Sequence, residues 1–359
     1  MKRFSIFAIL MAWATLLPDV TACTGITLRT IAHAPITART IEWAAEPLNM
    51  MYVVVPRGFK HKSILPDGST KGMRYQSKYG YVGISVEDER FVMEGINEVG
   101  LNAGLFYFPQ YGEYPSYDAA LSSSTISDMQ LVAWILASFA TIDELLEQLN
   151  MVRVVGIDPR ASTVHWRVTD SSGRQVVLEI IDQQMIVHEN PLGVLTNSPS
   201  LSWHLTNLNN YVNLQSGSIN RHAIGRLELR AFGGGSGLHG VPGDMTPPSR
   251  FVRAALLQST APILDNEEQT VVQAFHILNN FDIPAGTEQS WGKALADMPS
   301  ATQFTVASDT HNRMIYYRTM YNSNIRCIDL KRIDFEQVKY HSRALDEIKQ
   351  QPIEMITIR

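Results

Sequence analysis

The chain has 359 residues, 45% of them hydrophobic, and a formal net charge of −5; that is enough apolar content for a full core and leaves no excess of basic residues. The mild acidity argues against a nucleic-acid partner, which calls for a basic stripe. Cys23 and Cys327 are the only cysteines, so a disulfide-stapled scaffold is excluded and one bridge is the most the chain could form.

The first 22 residues read as an export signal. Lys2 and Arg3 give a positive start, Phe4 to Leu17 is an apolar run, and Pro18 breaks it ahead of the small-residue stretch Val20-Thr21-Ala22. The run is shorter than the roughly 20 residues that span a membrane, and no later segment reaches that length. Cleavage after Ala22 leaves residues 23–359 as one domain, with Cys23 leading.

Beyond Cys23 the chain reads as strands: T-G-I-T-L-R-T-I, P-I-T-A-R-T-I-E-W, M-M-Y-V-V-V-P and Y-G-Y-V-G-I-S-V are β-branched or aromatic runs between Gly, Pro and polar turns. Two helices follow, before and after Thr141. Ser127-x-x-Gln130 and Thr141-x-x-Glu144 both have the capping-box form. T-V-H-W-R-V-T-D, Q-V-V-L-E-I-I and Q-M-I-V-H-E form a second strand cluster, with a hairpin turn at Asp170 to Arg174. Helical patterns resume in L-S-W-H-L-T-N-L-N-N-Y-V, R-F-V-R-A-A-L-L-Q-S and E-Q-T-V-V-Q-A-F-H-I-L-N-N-F. A last strand pair, Q-F-T-V-A-S-D and R-M-I-Y-Y-R-T, turns at Asp309 to Asn312. Blocks of strands and blocks of helices, without regular alternation, indicate α+β layers.

A leading cysteine has a particular chemistry. A thiol attacks an amide well only with a base at hand and a stabilised thiolate. Once Cys23 is N-terminal, its own α-amine, with an ordinary pKa of about 7.7–8.0, supplies that base; in the uncut chain the same nitrogen is a non-basic amide. Two other readings compete: an ordinary structural residue, and a lipoprotein signal in which V-T-A-C marks a sulfur to be lipidated. Cys327 reads as a partly buried free thiol.

Downstream residues decide between these. P-I-T-A-R-T-I-E-W places Arg39 sixteen positions after Cys23, with Glu42 three further on. E-G-I-N-E-V-G-L-N-A-G-L-F-Y-F-P, G-V-L-T-N-S-P, W-H-L-T-N-L-N-N-Y and V-P-G-D-M-T-P-P-S-R-F-V-R follow in order. These blocks resemble the choloylglycine hydrolase family of N-terminal-nucleophile (Ntn) hydrolases, which includes conjugated bile salt hydrolases and penicillin V acylases, and they cover nearly the whole chain after Cys23.

The resemblance implies a four-layer αββα sandwich and cleavage of a linear amide, with no cofactor and no metal. Cys23 would be the nucleophile, and Arg39 would favour its thiolate. Glu42, where the family usually has Asp, would orient the α-amine. Asn197 and the backbone N–H of Tyr107 would hold the oxyanion, with Phe106 as the substitute for Tyr107 if the alignment slips by one residue. Arg250 would hold the charged site together. Phe106 and Phe108, in an aromatic-rich loop, are the candidate substrate-binding residues. Conjugated bile salts, penicillin V and other N-acyl amides such as acyl homoserine lactones are the candidate substrates. A homotetramer in a bacterial periplasm, or a secreted enzyme, is the expected setting. The competing function is a lipid-anchored exported binding protein with Cys23 acylated. The ten histidines show no metal-ligand spacing, and F-G-G-G-S-G-L-H-G-V-P-G-D lacks the Gly-Lys-Ser/Thr ending of a phosphate loop. It reads as a loop leading to Arg250.

Overall fold

The computed structural model describes residues 23–45, 48–157, 162–219, 221–287 and 298–358; the expected export signal lies outside the described residues. In chain order the main strands are β1 (Cys23–Arg29), β2 (Pro35–Ala45), β3 (Met50–Val55), β4 (Tyr81–Val86), β5 (Val92–Asn97), β6 (Asn102–Tyr107) and β7 (Val164–Thr169). They continue as β8 (Gln175–Ile181), β9 (Gln184–Glu189), β10 (Met298–Asp309), β11 (Met314–Thr319), β12 (Asn322–Asp329) and β13 (His341–Ala344). The helices are α1 (Leu131–Ser138), α2 (Ile142–Leu149), α3 (Leu201–Asn207), α4 (Pro247–Thr260) and α5 (Glu267–Leu278).

Two antiparallel sheets form the middle layers. One runs β1-β2-β10-β11-β12; the other runs β9-β8-β7-β6-β5-β4-β3-β13. Helices α4 and α5 cover the outer face of the first sheet, and α1 covers β5 and β6 of the second. The result is the α+β sandwich of four layers, αββα. Period-2 alternation sorts the side chains. Ile26, Leu28, Ile36 and Ala38 pack outward against Phe251 and Phe275 of the helices. Their alternates on β1 and β2, Gly25, Arg39 and Ile41, face the second sheet.

Gly25 marks where the sheets approach closely. A Cβ there would lie 2.6 Å from Arg167 Nη1 and 2.9 Å from the Phe106 ring, inside van der Waals contact. The turns expected at both hairpins form. Ser172 N–H donates to Asp170 Oδ1 at 3.0 Å with Gly173 left-handed, and Asn312 N–H donates to Asp309 Oδ1 at 2.8 Å. Thr141 caps α2, accepting from Glu144 N–H at 3.2 Å.

Three sequence expectations need correction. The Ser127 capping box does not form, because Ser127 makes no side-chain cap bond. Gln130 Oε1 is instead taken up by Ile64 N–H at 2.7 Å and by the hydroxyls of Ser63 and Ser127. Cys327 is exposed rather than partly buried, because it sits on β12, the outer edge strand of its sheet. Strands β5, β6, β12 and β13 went unassigned in the sequence. The first two lie in a Gly- and Asn-rich stretch whose glycines make room for neighbours: a Cβ on Gly104 would lie 1.8 Å from Glu94 Oε2.

Candidate active site

Cys23 begins β1, an edge strand. Next to it runs the segment Gly193–Asn197, docked by a reciprocal pair of hydrogen bonds between Gly25 and Leu195, 2.7 Å and 3.1 Å long. The antiparallel register that pairs residue 25 with 195 sets 23 against 197. Cys23 N–H accordingly donates to Asn197 Oδ1 at 2.9 Å, and both residues are buried.

Arg250 completes the cluster from the first turn of α4. Pro247 occupies that first turn, and Asp244 ahead of it accepts from Ser249 Oγ at 2.6 Å and from Thr246 N–H at 2.9 Å. Partial burial works against the Asp244 charge, but these hydrogen bonds hold its carboxyl at about 2. The guanidinium is buried and reaches Cys23 O (2.5 Å), Thr24 Oγ1 (2.9 Å) and Asn197 Oδ1 (2.7 Å). Since guanidinium only donates, the atom of Asn197 facing it is the oxygen. The Nδ2 group must then face the other way, where it donates to Tyr107 O at 2.7 Å.

Tyr107 ends β6 and pairs with Val164. Phe108 N–H bonds Thr163 O at 2.8 Å, and Val164 N–H bonds the Tyr114 hydroxyl at 2.8 Å. The Tyr107–Val164 pair is thus a non-hydrogen-bonded one, and the N–H and C=O of Tyr107 both point away from β7. The carbonyl meets Asn197. The amide N–H therefore points to the same side as the Asn197 amide.

Arg39 and Glu42 lie on opposite faces of β2, and both are buried. Arg39 turns between the sheets, where its Nη1 donates to Leu105 O and lies 3.5 Å from Glu94 Oε2. Its guanidinium stands 3.7 Å above the centre of the Phe106 ring. Arg167 approaches Glu94 from the far side, at 3.9 Å; burial pulls it down to about 10. Two guanidinium groups share one carboxylate here, which leaves a net positive charge between the sheets. Glu42 Oε1 accepts from Thr302 Oγ1 at 3.0 Å. A bulge in β10 sets Thr302 opposite Glu42 and Phe304 opposite Ile41. Burial raises the Glu42 carboxyl to about 7, against the pull of Arg250 and the Thr302 hydroxyl.

Cys23, Asn197, Arg250 and the Tyr107 backbone thus come together directly. Glu42 joins them through the charge of Arg250, and Arg39 lies on the same face of the β1–β2 pair as Cys23, beside Gly25. Phe106 and Phe108 are fully buried, against Arg39 and His165 respectively; Tyr107 and Tyr111 are the neighbouring rings that reach the surface. Sequence reasoning missed Thr24, Thr302, Glu94, Arg167, His165 and His204. All of these but Thr302 lay inside quoted runs, but a strand residue facing another sheet, or a helix residue such as His204 that reaches back to the Asn197 carbonyl, leaves no local pattern.

A cysteine thiol beside a fixed amide donor pair and a buried arginine is suited to acyl transfer at a carbonyl. The model of the linear amide C–N hydrolases, choloylglycine hydrolase family, matches residues 23–343. The chain belongs to that family. It is an enzyme of the linear-amide C–N hydrolase class. Its relatives include the bile salt hydrolase/transferase of Clostridium perfringens, 31% identical over 327 residues, covering 88% of this chain and 95% of the relative. The penicillin V acylase of Pectobacterium atrosepticum is 27% identical over 326 residues, covering 84% and 78%. Among solved structures, a variant of conjugated bile acid hydrolase from Clostridium perfringens superposes with a TM-score of 0.80 at 28% identity, over 93% of this chain and all of that one. Penicillin V acylase from Agrobacterium tumefaciens, at 23% identity and a TM-score of 0.73 over 90% and 91% of the chains, shares the fold. No helix among the described residues is long and apolar enough to cross a membrane.

Proposed function

We propose that the leader is removed after Ala22 and that Cys23, now N-terminal, is the nucleophile of an exported, periplasmic amidase for bulky N-acyl amides. Conjugated bile salts and penicillin V are the substrates that its relatives' names suggest, with glycine and taurine amides as the conjugates that the family resemblance implies. The Cys23 N–H bond to Asn197 Oδ1 carries this reading. It holds the nitrogen that becomes the base at the same residue whose Nδ2 lies beside the Tyr107 amide.

In the proposed reaction the α-amine takes the thiol proton as sulfur attacks the amide carbonyl. The oxyanion that forms is met by the second Nδ2–H of Asn197 and the Tyr107 N–H, and the net positive charge of Arg39 and Arg167 favours the thiolate beforehand. The α-ammonium then passes its proton to the departing nitrogen as the C–N bond breaks, leaving a thioester. Water attacks the thioester carbonyl while giving a proton to the α-amine; collapse releases the acid and the thiol. Glu42 Oε2, which meets no well-aligned donor among the described residues, is the second acceptor for the ammonium.

The hairpin Arg221–Ile224/Leu227–Arg230 stands fully exposed, with Ile224, Leu227 and Leu229 at its surface. Such an apolar arm is suited to a neighbouring subunit, which supports a homo-oligomer; four copies is the number the family resemblance suggests. Assay of the mature protein against glycine and taurine conjugates, penicillin V and acyl homoserine lactones tests the substrate proposal. Turnover of the conjugates or of penicillin V supports it; turnover of neither overturns it.

A further inference from the structure

Behind Asn197 lies a second buried ionic group, away from the nucleophile. His165 of β7 and Glu179 of β8 are both fully buried, with His165 Nδ1 3.2 Å from Glu179 Oε1. The other ring nitrogen, Nε2, lies 3.2 Å from the carbonyl oxygen of Thr196. His204 of α3 mirrors this contact one residue on, its Nε2 donating to Asn197 O at 2.9 Å. The two carbonyls that flank the Asn197 Cα are therefore each met by an imidazole.

The proton inventory of His165 follows from its neighbours. A carbonyl oxygen accepts only, and so does a carboxylate. A neutral imidazole has one N–H and would present a bare lone pair to one of them. Glu179 Oε1 also accepts from Leu201 N–H at 2.9 Å, and its Oε2 lies 3.1 Å from His188 Nε2. Although burial opposes it, the donors His165 and His188 hold the Glu179 carboxyl at about 2. His204 differs: burial lowers it to about 4, which leaves it a neutral single donor.

We propose that Glu179 keeps His165 as a buried imidazolium, and that this ion pair is a positioning device which clamps the Thr196 carbonyl and so aims the Asn197 amide at the oxyanion. The charged and titratable groups around His165 are Glu179 from β8, His188 from β9 behind it, His204 from α3 and Arg167 two residues along β7. Arg250 from α4 acts on His204. β6 contributes only rings, Phe108 stacked on His165 at 4.5 Å and Phe106 edge-on at 6.1 Å. Of these groups, Glu179 is the acid in hydrogen-bonding contact with His165. The catalytic consequence rests on the hydrolase reading above; the protonation state does not.

Glu179→Gln separates charge from shape. Leu201 N–H keeps the amide oxygen at the Oε1 position, so His165 Nδ1–H remains a donor, but nothing compensates a second ring proton. The test is ring ¹⁵N–¹H spectroscopy of histidine-labelled protein at about pH 8, above the ordinary imidazole range, without substrate. Wild type is expected to show protons on both nitrogens of His165, and Glu179→Gln on one. With substrate, the variant should lose about ten- to a hundredfold in kcat, the scale of a small misplacement, with KM held within about twofold. Its kcat relative to wild type at the same pH should recover as pH falls through the imidazole range, and Glu179→Asp should restore the second proton. A singly protonated His165 in the wild type overturns the proposal, as does a Glu179→Gln enzyme with wild-type kcat and pH profile. If that variant fails to fold, the wild-type spectrum alone decides the charge.

Discussion

Arg250 Nη2 and Asn197 Oδ1 meet at 2.7 Å inside the protein, and this contact settles which way the Asn197 amide faces. The same guanidinium holds the Cys23 carbonyl and the Thr24 hydroxyl, so one helix residue ties the proposed nucleophile to the proposed oxyanion donor. Arg250→Ala takes a charged donor from Cys23 O, Thr24 Oγ1, Asn197 Oδ1 and Met245 O, of which Asn197 Oδ1 keeps the Cys23 N–H, and should cost about 1–3 kcal/mol for each buried acceptor left unsatisfied. Arg250→Lys should fold better yet recover little activity, because an ammonium lacks the planar fork that spans these acceptors. Denaturant midpoints and kcat on the same two variants check both statements.

Asn197 has two separable tasks, holding the Cys23 nitrogen through Oδ1 and donating through Nδ2. Asn197→Asp keeps the first and removes the second. The expected loss in kcat is about 10²–10³, as for removal of one oxyanion donor, with KM little changed. A loss confined to KM would reassign Asn197 to substrate binding.

Glu42 carries a pH signature. Its carboxyl is raised from 4.5 to about 7 by burial, so the folded state binds more protons than the unfolded state between those values. Stability from this group is present below pH 4.5 and is lost as pH rises through about 7, on the order of 3 kcal/mol in all. Glu42→Gln should remove that slope and be more stable than wild type at pH 8. Thermal unfolding of both proteins across this window measures the sign.

Two histidines act in the opposite direction. Burial lowers His61 and His204 to about 4, so the unfolded state binds more protons between pH 4 and 6.5. Their contribution is complete above 6.5 and falls away toward 4. Acid unfolding that starts below pH 6.5 and is delayed in His61→Gln is the expected result; an unchanged acid midpoint contradicts it.

Gly25 tests the close approach of the sheets. Gly25→Ala drives a Cβ into Arg167 and Phe106, with an expected cost of about 1–3 kcal/mol from overpacking. Because residue 25 lies two along from Cys23, kcat should fall as well. Unfolding midpoint and turnover, measured together, check this.

Much of this architecture was legible in the chain. β-branched alternation marked β1 to β4 and β7 to β9, and the Asp170–Gly173 and Asp309–Asn312 turns announced two hairpins. The linear order of the blocks around Asn197 and Arg250 located two residues that meet at Cys23, whereas Arg39 turns to Glu94 and Phe106. Less local features were hidden. β5 and β6 were masked by their own glycines, which exist to admit Glu94 and the neighbouring sheet. Ser127 and Gln130 match a capping box in spacing, yet Gln130 is claimed by Ser63 and Ile64, 67 and 66 residues away. Phe106 and Phe108 looked like a substrate wall because sequence shows aromaticity but not facing; one lies under Arg39 and the other on His165. Thr302 and Glu179 act through contacts 260 and 14 residues away, which no spacing rule reaches.

The central claim is that Cys23, with its own nitrogen free, carries the acyl group during turnover. Active enzyme should be quenched with acid during hydrolysis of a responsive amide and its N-terminal peptide weighed. The expected result is a peptide that begins at Cys23, has a free amine and is heavier by one acyl group on sulfur. An active enzyme with residues still attached ahead of Cys23, or with a diacylglyceryl group on its sulfur, would contradict the account.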